Sequence, residues 1–177
     1  TDHQHGGVNG FDKKVWTHHS GSEKSLSMIY MSKDGEEGYP GNVESTLRFE
    51  LTDNNELIYE FTATTDEATA VNLTHHSYFN LNNGYGPIND HLVRINSPAI
   101  LEQDDNFVVT GNAISVEKTP YDFRQLKRID KNWTYPDGYD QSFVVDENCT
   151  VDPGTGLALV AEAFSERSKL KLEVYTN

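Results

Sequence analysis

Leu47-Arg48-Phe49-Glu50-Leu51-Thr52-Asp53-Asn54-Asn55-Glu56-Leu57-Ile58-Tyr59-Glu60-Phe61 is the stretch that decides the fold. Leu47, Phe49 and Leu51 alternate with Arg48 and Glu50. Leu57, Tyr59 and Phe61 alternate with Glu56 and Glu60 around Ile58. A period of two puts one apolar face on each arm, as a half-buried strand requires. Thr52–Asn55 has turn composition, so the arms are expected to fold back as an antiparallel hairpin.

The same pattern recurs outward from this hairpin. Leu157, Leu159 and Ala161 form one face near the end of the chain. Leu170, Leu172 and Val174 form another between Lys169, Lys171 and Glu173. Pro153–Gly156 and Ser165–Ser168 read as flanking turns. Shorter strand candidates are Leu26–Met31, Leu92–Ile95, Phe107–Thr110 and Ser142–Val145. No long amphipathic helix, repeat or low-complexity tract interrupts them. Thr64–Ala70 reads as a strand approach or turn. The expectation is all-β: one antiparallel β-sandwich domain over residues 1–177, with long loops that hold the chemically unusual residues.

Composition narrows the function classes. The 177 residues carry a formal net charge of -14, which phosphate backbones would repel, so nucleic acid is not an expected partner. The densest basic stretch, Arg124–Arg128, reads as solvated surface. A single cysteine, Cys149, excludes an intrachain disulfide. No apolar run approaches membrane-spanning length, and no membrane partner is expected. Sequons stand at Asn72, Asn132 and Asn148.

Five segments could carry chemistry. In His3-Gln4-His5-Gly6-Gly7-Val8-Asn9-Gly10, glycines beside a histidine allow close backbone approach to a ligand. The spacing leaves three readings open: a substrate-binding or proton-donating His5, a His-x-His metal site, or an N-terminal tail. In Asn72–Leu81, apolar residues at 71, 73, 79 and 81 predict a strand with one buried face. On a strand His75 and His76 point to opposite sides, and Tyr78 shares the His76 face. An aromatic beside an imidazole suits a sugar, with its apolar C–H faces and polar edges. A strand with two satisfied histidines stands as the alternative.

Asp34-Gly35-Glu36-Glu37-Gly38-Tyr39-Pro40-Gly41 reads as a structured turn with a solvated acidic tip; its spacing does not match an EF-hand calcium loop. Thr119–Arg124 reads as a loop anchored by its aromatics, with Asp122 and Arg124 able to pair. In Tyr135–Phe143, Asp137-Gly138 signals a turn, and Asp140 sits where that turn meets a strand. A carboxylate there can accept hydrogen bonds from ligand hydroxyls or cap the turn. His18 and His19 read as surface residues.

Taken together and in order, these segments resemble the galactose mutarotase (aldose 1-epimerase) family. His5–Lys13 is similar to its His-Gly-Gly-x-x-Gly-Phe-Asp-Lys segment and Asp34–Gly41 to its Asp-Gly-Glu-Glu-Gly-Tyr-Pro-Gly segment. Asn72–Leu81 matches its Asn-Leu-Thr-Asn-His-Ser-Tyr-Phe-Asn-Leu stretch with one change, at His75. Thr119–Arg124 resembles its Thr-Pro-Phe-Asp-Phe-Arg loop. Gly138–Phe143 resembles its Gly-Tyr/Phe-Asp-His-x-Phe turn, with Gln141 in place of the His.

The resemblance implies a β-sandwich and an isomerase that interconverts the α and β anomers of galactose- and glucose-type sugars without cofactor or metal. It implies His76 as general acid, His5 as a second catalytic histidine that also binds the sugar, Asp140 as a carboxylate for sugar hydroxyls, and Tyr78 as a neighbouring aromatic. The implied partner is a monosaccharide, an aldohexose. The family's general-base Glu and an Asn-Arg pair that binds sugar have no counterpart in the sequence, so a central portion of the family's chain is expected. If the sequence is instead complete, its open strand edges must pair with another chain. The alternative function is a non-catalytic mutarotase-like sugar-binding or structural module. The family default is cytoplasmic, with Asn132 and Asn148 leaving secretion open.

Overall fold

A computed structural model describes residues 3, 5–133 and 138–177. It resolves into two compact units, Thr1–Ser77 and Tyr78–Asn177. Every ladder between named strands is antiparallel. The helical segments among the described residues are three short 3-10 turns.

The first unit is a four-stranded sheet in the order β1-β2-β3-β4, formed by β1 (Thr17–Gly21), β2 (Ser25–Ser32), β3 (Val43–Leu51) and β4 (Leu57–Thr65). The hairpin read from the sequence is β3–β4. Its register sets Leu47 opposite Phe61, Phe49 opposite Tyr59 and Leu51 opposite Leu57, so apolar residues meet on one face. The Phe49 and Tyr59 rings pack edge to face at 5.1 Å. On the other face Arg48 lies opposite Glu60 and forms an ion pair with it at 3.5 Å. Ile58, the residue that breaks the alternation, lies opposite Glu50 on this polar face. Thr52 closes the turn: its N–H donates to the Glu56 carbonyl at 2.9 Å.

β1 is a strand that the pattern does not announce. All five of its residues are exposed, His18 and His19 among them, so it carries no apolar alternation. It pairs along β2 with an irregularity between His18 and Ser20.

The second unit holds two sheets. One has the order β11-β10-β5-β8, from β5 (Leu92–Ile95), β8 (Lys127–Arg128), β10 (Ala158–Phe164) and β11 (Lys171–Thr176). The other has the order β7-β6-β9, from β6 (Ala99–Gln103), β7 (Val109–Ser115) and β9 (Phe143–Val144). The expected terminal hairpin is β10–β11, with Ser165 N–H donating to the Leu170 carbonyl at 3.0 Å across its turn. The Phe107–Thr110 strand expectation shifts along the chain. Phe107 has φ 63°, a left-handed turn position, and β7 starts only at Val109.

The core of this unit centres on Ile100, Val116 and Phe123. Phe123 packs edge to face with Tyr139 and Phe143, and the Lys127 ammonium sits 4.0 Å from the centre of its ring. Asp122 and Arg124 pair as expected, with Nε and Nη2 donating at 2.9 and 2.8 Å. Lys127 and Arg128 also have local partners, the Pro120 carbonyl and Asp130. The basic run is therefore occupied at home.

A polar network ties the start of the second unit to its terminal hairpin. The buried Ser165 hydroxyl donates to Asn82 Oδ1 at 2.6 Å, and Asn82 Nδ2 donates to Asp90 at 2.9 Å. The buried His91 Nε2 accepts from the Leu81 N–H at 2.9 Å. That bond fixes the tautomer: Nδ1 carries the proton and donates to Asp90 at 3.1 Å.

Candidate active site

The segment that carries His75 and His76 is not a strand. Residues 71–80 form no ladder, and the expectation of a strand with one buried face is corrected. The pattern of apolar residues is present, but the burial that makes it a strand signal is not. Val71 and Phe79 are 46% and 44% exposed. With no strand, Tyr78 has no face to share with His76 by alternation, and that inference falls too. The two imidazoles nevertheless meet different partners. The His75 ring stacks on Tyr59 of β4, with centroids 3.8 Å apart and planes 11° from parallel. The His76 ring packs edge to face with His5, at 5.6 Å and 79°.

Burial, and then the charge of the neighbouring His76, hold the His75 imidazole below the usual histidine pKa. His75 thus stays neutral to lower pH than a free imidazole.

His5 stands at the head of a tight loop. His5, Gly6 and Gly7 all have positive φ, at 54°, 82° and 112°. Gly10 closes the loop: a Cβ there would collide with the His5 carbonyl, so only glycine lets the two backbones touch. Beyond it, Phe11, Trp16 and Tyr30 pack together, and Trp16 Nε1 donates to the Phe11 carbonyl at 3.0 Å. This aromatic cluster seats the end of the loop on β2.

The acidic turn is not a solvated tip, which corrects the sequence reading. Its two central carboxylates are half-buried and both are engaged by other segments. Glu36 accepts from the Tyr30 hydroxyl at 2.7 and 2.9 Å and from Ser32 at 3.2 Å, and it pairs with Lys14 at 3.3 Å. Burial works to raise its pKa, but the bonds from Tyr30 and Lys14 win and hold it below the ordinary carboxylate value. Glu37 accepts from two successive backbone amides of the His5 loop: Val8 N–H at 2.9 Å and Asn9 N–H at 3.0 Å. Gly7 gives it room, since a Cβ there would overlap the Glu37 carboxylate. Neither bond is legible in the sequence, because a carboxylate clamping distant amides leaves no local periodic signal.

The remaining expected site residues lie in the second unit. Tyr78 is 90% exposed. Asp140 is exposed, three residues before β9, and its N–H donates to Gln141 Oε1 at 3.0 Å. Asp137, of the turn expected before it, lies outside the described residues. Among the described residues no group of three or more His, Cys, Asp or Glu side chains is placed to hold a metal ion. No helix there is long and apolar enough to cross a membrane.

The first unit thus combines an antiparallel sheet with two loop histidines, His5 and His76, held ring to ring. The aldose 1-epimerase family profile matches residues 2–177. The aldose 1-epimerase of Escherichia coli (strain K12) is 33% identical over 97% of this chain and 50% of its own length. The galactose mutarotase of Homo sapiens is 40% identical over 78% of this chain and 41% of its own. The crystal structure of the GalM/aldose epimerase homologue from C. elegans superposes with a TM-score of 0.80 at 28% identity, covering 96% of this chain and 50% of that one. The galactose 1-epimerase from Lactobacillus acidophilus NCFM gives a TM-score of 0.77 at 28% identity, over 92% and 48% of the two chains. The chain belongs to the aldose 1-epimerase family. It spans about half the length of the curated relatives it matches.

Proposed function

We propose that this chain supplies the acid and a sugar-binding part of an aldose 1-epimerase site, one that interconverts the α and β anomers of galactose- and glucose-type sugars. The observation that carries the reading is the meeting of His5 and His76 at 5.6 Å, two histidines 71 positions apart in the sequence. Anomer exchange needs a proton delivered to the ring oxygen while another leaves the anomeric hydroxyl. The C1–O5 bond then breaks, the C1–C2 bond rotates, and the reverse steps close the ring on either face. In this reading His76 gives its proton to the ring oxygen and takes it back on closure. An imidazole suits that two-way role because its ordinary pKa lies near neutrality. His5 binds the sugar and polarises the reacting centre. Asp140 accepts hydrogen bonds from sugar hydroxyls, and Tyr78 is offered as an aromatic neighbour of the ring. The base that takes the anomeric proton is not assigned to any residue of this chain.

Polarimetry on freshly dissolved α-galactose tests the reading, using the longest natural chain that carries this sequence. The wild type should speed equilibration. His76→Ala should lower kcat by about 100-fold or more, the range for loss of a general acid. Sugar binding without any acceleration by the wild type would favour the non-catalytic sugar-binding module instead.

A further inference from the structure

The acidic turn has no part in the proton transfers above, yet one of its carboxylates reaches the loop that carries His5. We propose that Glu37 is a positioning residue: its carboxylate clamps the Val8 and Asn9 amides and thereby sets where the His5 imidazole stands against His76. The proposal rests on the reading of His5 as a sugar-binding residue.

Three features of the structure support it. The clamp is two-pronged, with Oε2 on Val8 N–H and Oε1 on Asn9 N–H, so it fixes the orientation of the loop as well as its distance. Hydrogen bonds to an ionised acceptor are about twice as strong as neutral ones. The loop is also short and closed. The His5 carbonyl lies against Gly10 Cα at its base, and Val8 and Asn9 lie between. A shift of the clamped amides must therefore pass to His5 through Gly6 and Gly7, whose positive φ values any L side chain would strain. Finally, Glu37 is itself held. It has φ 49°, an uncommon left-handed position for a non-glycine residue. Its neighbour Glu36 is tied to Tyr30 and Ser32 of β2. The adjacent carboxylates thus work in opposite directions, Glu36 gripping the sheet and Glu37 gripping the loop. Pre-set geometry of this kind matters because a misplacement of about 1 Å at a reacting group can cost as much as 100-fold in rate.

The decisive variant is Glu37→Gln, which keeps the shape but has one oxygen for two amides and no charge. Nuclear Overhauser contacts between the His5 and His76 ring protons report the geometry, and polarimetry reports the rate. In Glu37→Gln the Val8 and Asn9 amide resonances should move, the His5–His76 ring contact should weaken, and kcat/KM should fall by about 10- to 100-fold. The loss should also largely vanish when Glu37→Gln is added to His5→Ala, because a positioning residue has nothing left to position. A ring contact unchanged in Glu37→Gln, or a rate loss that adds in full to that of His5→Ala, overturns the proposal. Hydrogen exchange on the wild type covers the case in which the variant does not fold. Protected Val8 and Asn9 amides support the clamp, and freely exchanging ones overturn it. If the wild type proves to have no epimerase activity, the enzymatic reading fails while the ring-contact and exchange measurements still decide the clamp.

Discussion

The His75 imidazole lies flat against Tyr59 of β4, 3.8 Å between centroids and 11° from parallel, and so docks the segment that carries His76 onto the outermost strand of the first sheet. Residues 72–77 form no ladder, so this stack takes the place that strand pairing would have filled.

Removing the stack should loosen His76 without dismantling the sheet. Tyr59→Leu keeps an apolar residue opposite Phe49 but loses both ring contacts, the His75 stack and the edge-to-face pair with Phe49. Chemical denaturation should show a loss of about 1–3 kcal/mol, twice the typical worth of one aromatic pair. The His76 ring resonances should broaden or move, while the β2–β3 amides stay in place.

His75 makes stability depend on pH in a definite sense. Burial and the His76 charge lower its folded pKa below 6.5. The unfolded chain therefore binds more protons than the folded one between the folded pKa and about 6.5. Stability should be full above that window and fall as pH drops through it. In His75→Asn, this part of the decline should disappear when melting temperature is followed from pH 7.5 to 5.

The buried network of the second unit should behave as a structural anchor. Asn82→Ala leaves the buried Ser165 hydroxyl without its acceptor and takes from the Asp90 carboxylate one of its two side-chain donors, His91 being the other. The expected cost in urea denaturation is about 1–3 kcal/mol, the range for orphaning a buried polar group.

Acid should weaken the grip of the acidic turn on β2. The Glu36 pKa is lowered in the fold despite burial, because Tyr30 and Lys14 bond to its ionised form. Its contribution is present above the unfolded carboxylate pKa and is lost as pH falls through the lower folded value. Glu36→Gln should flatten that acid limb. Tryptophan fluorescence is a fitting readout, since Trp16 packs on Tyr30 at 5.7 Å.

Much of the scaffold is legible in the sequence wherever burial follows a period. The Leu47–Phe61 hairpin is legible because both arms alternate, with Ile58 the one break, and the observed register pairs apolar with apolar. β1 is not, because its residues all face solvent and only its hydrogen bonds to β2 make it a strand. The opposite error occurs at residues 72–80, where alternation is present but no sheet covers it. At the candidate site, His5 and His76 could be named from their motifs, but not their ring-to-ring meeting, which depends on turns that bring distant loops together. Glu37 looked like solvated charge because its partners, the Val8 and Asn9 amides, carry no side-chain signature. His91 carries no signal of its own, since a lone histidine in a polar loop has no periodic neighbours and its burial depends on Leu81 and Asp90.

If His5 and His76 form one sugar site, a galactose titration followed by the imidazole resonances of histidine-labelled protein will show it directly. The His5 and His76 signals should move together along one saturation curve, while His18 and His19, exposed on β1, stay still. Saturable galactose binding that leaves both His5 and His76 unmoved would contradict it.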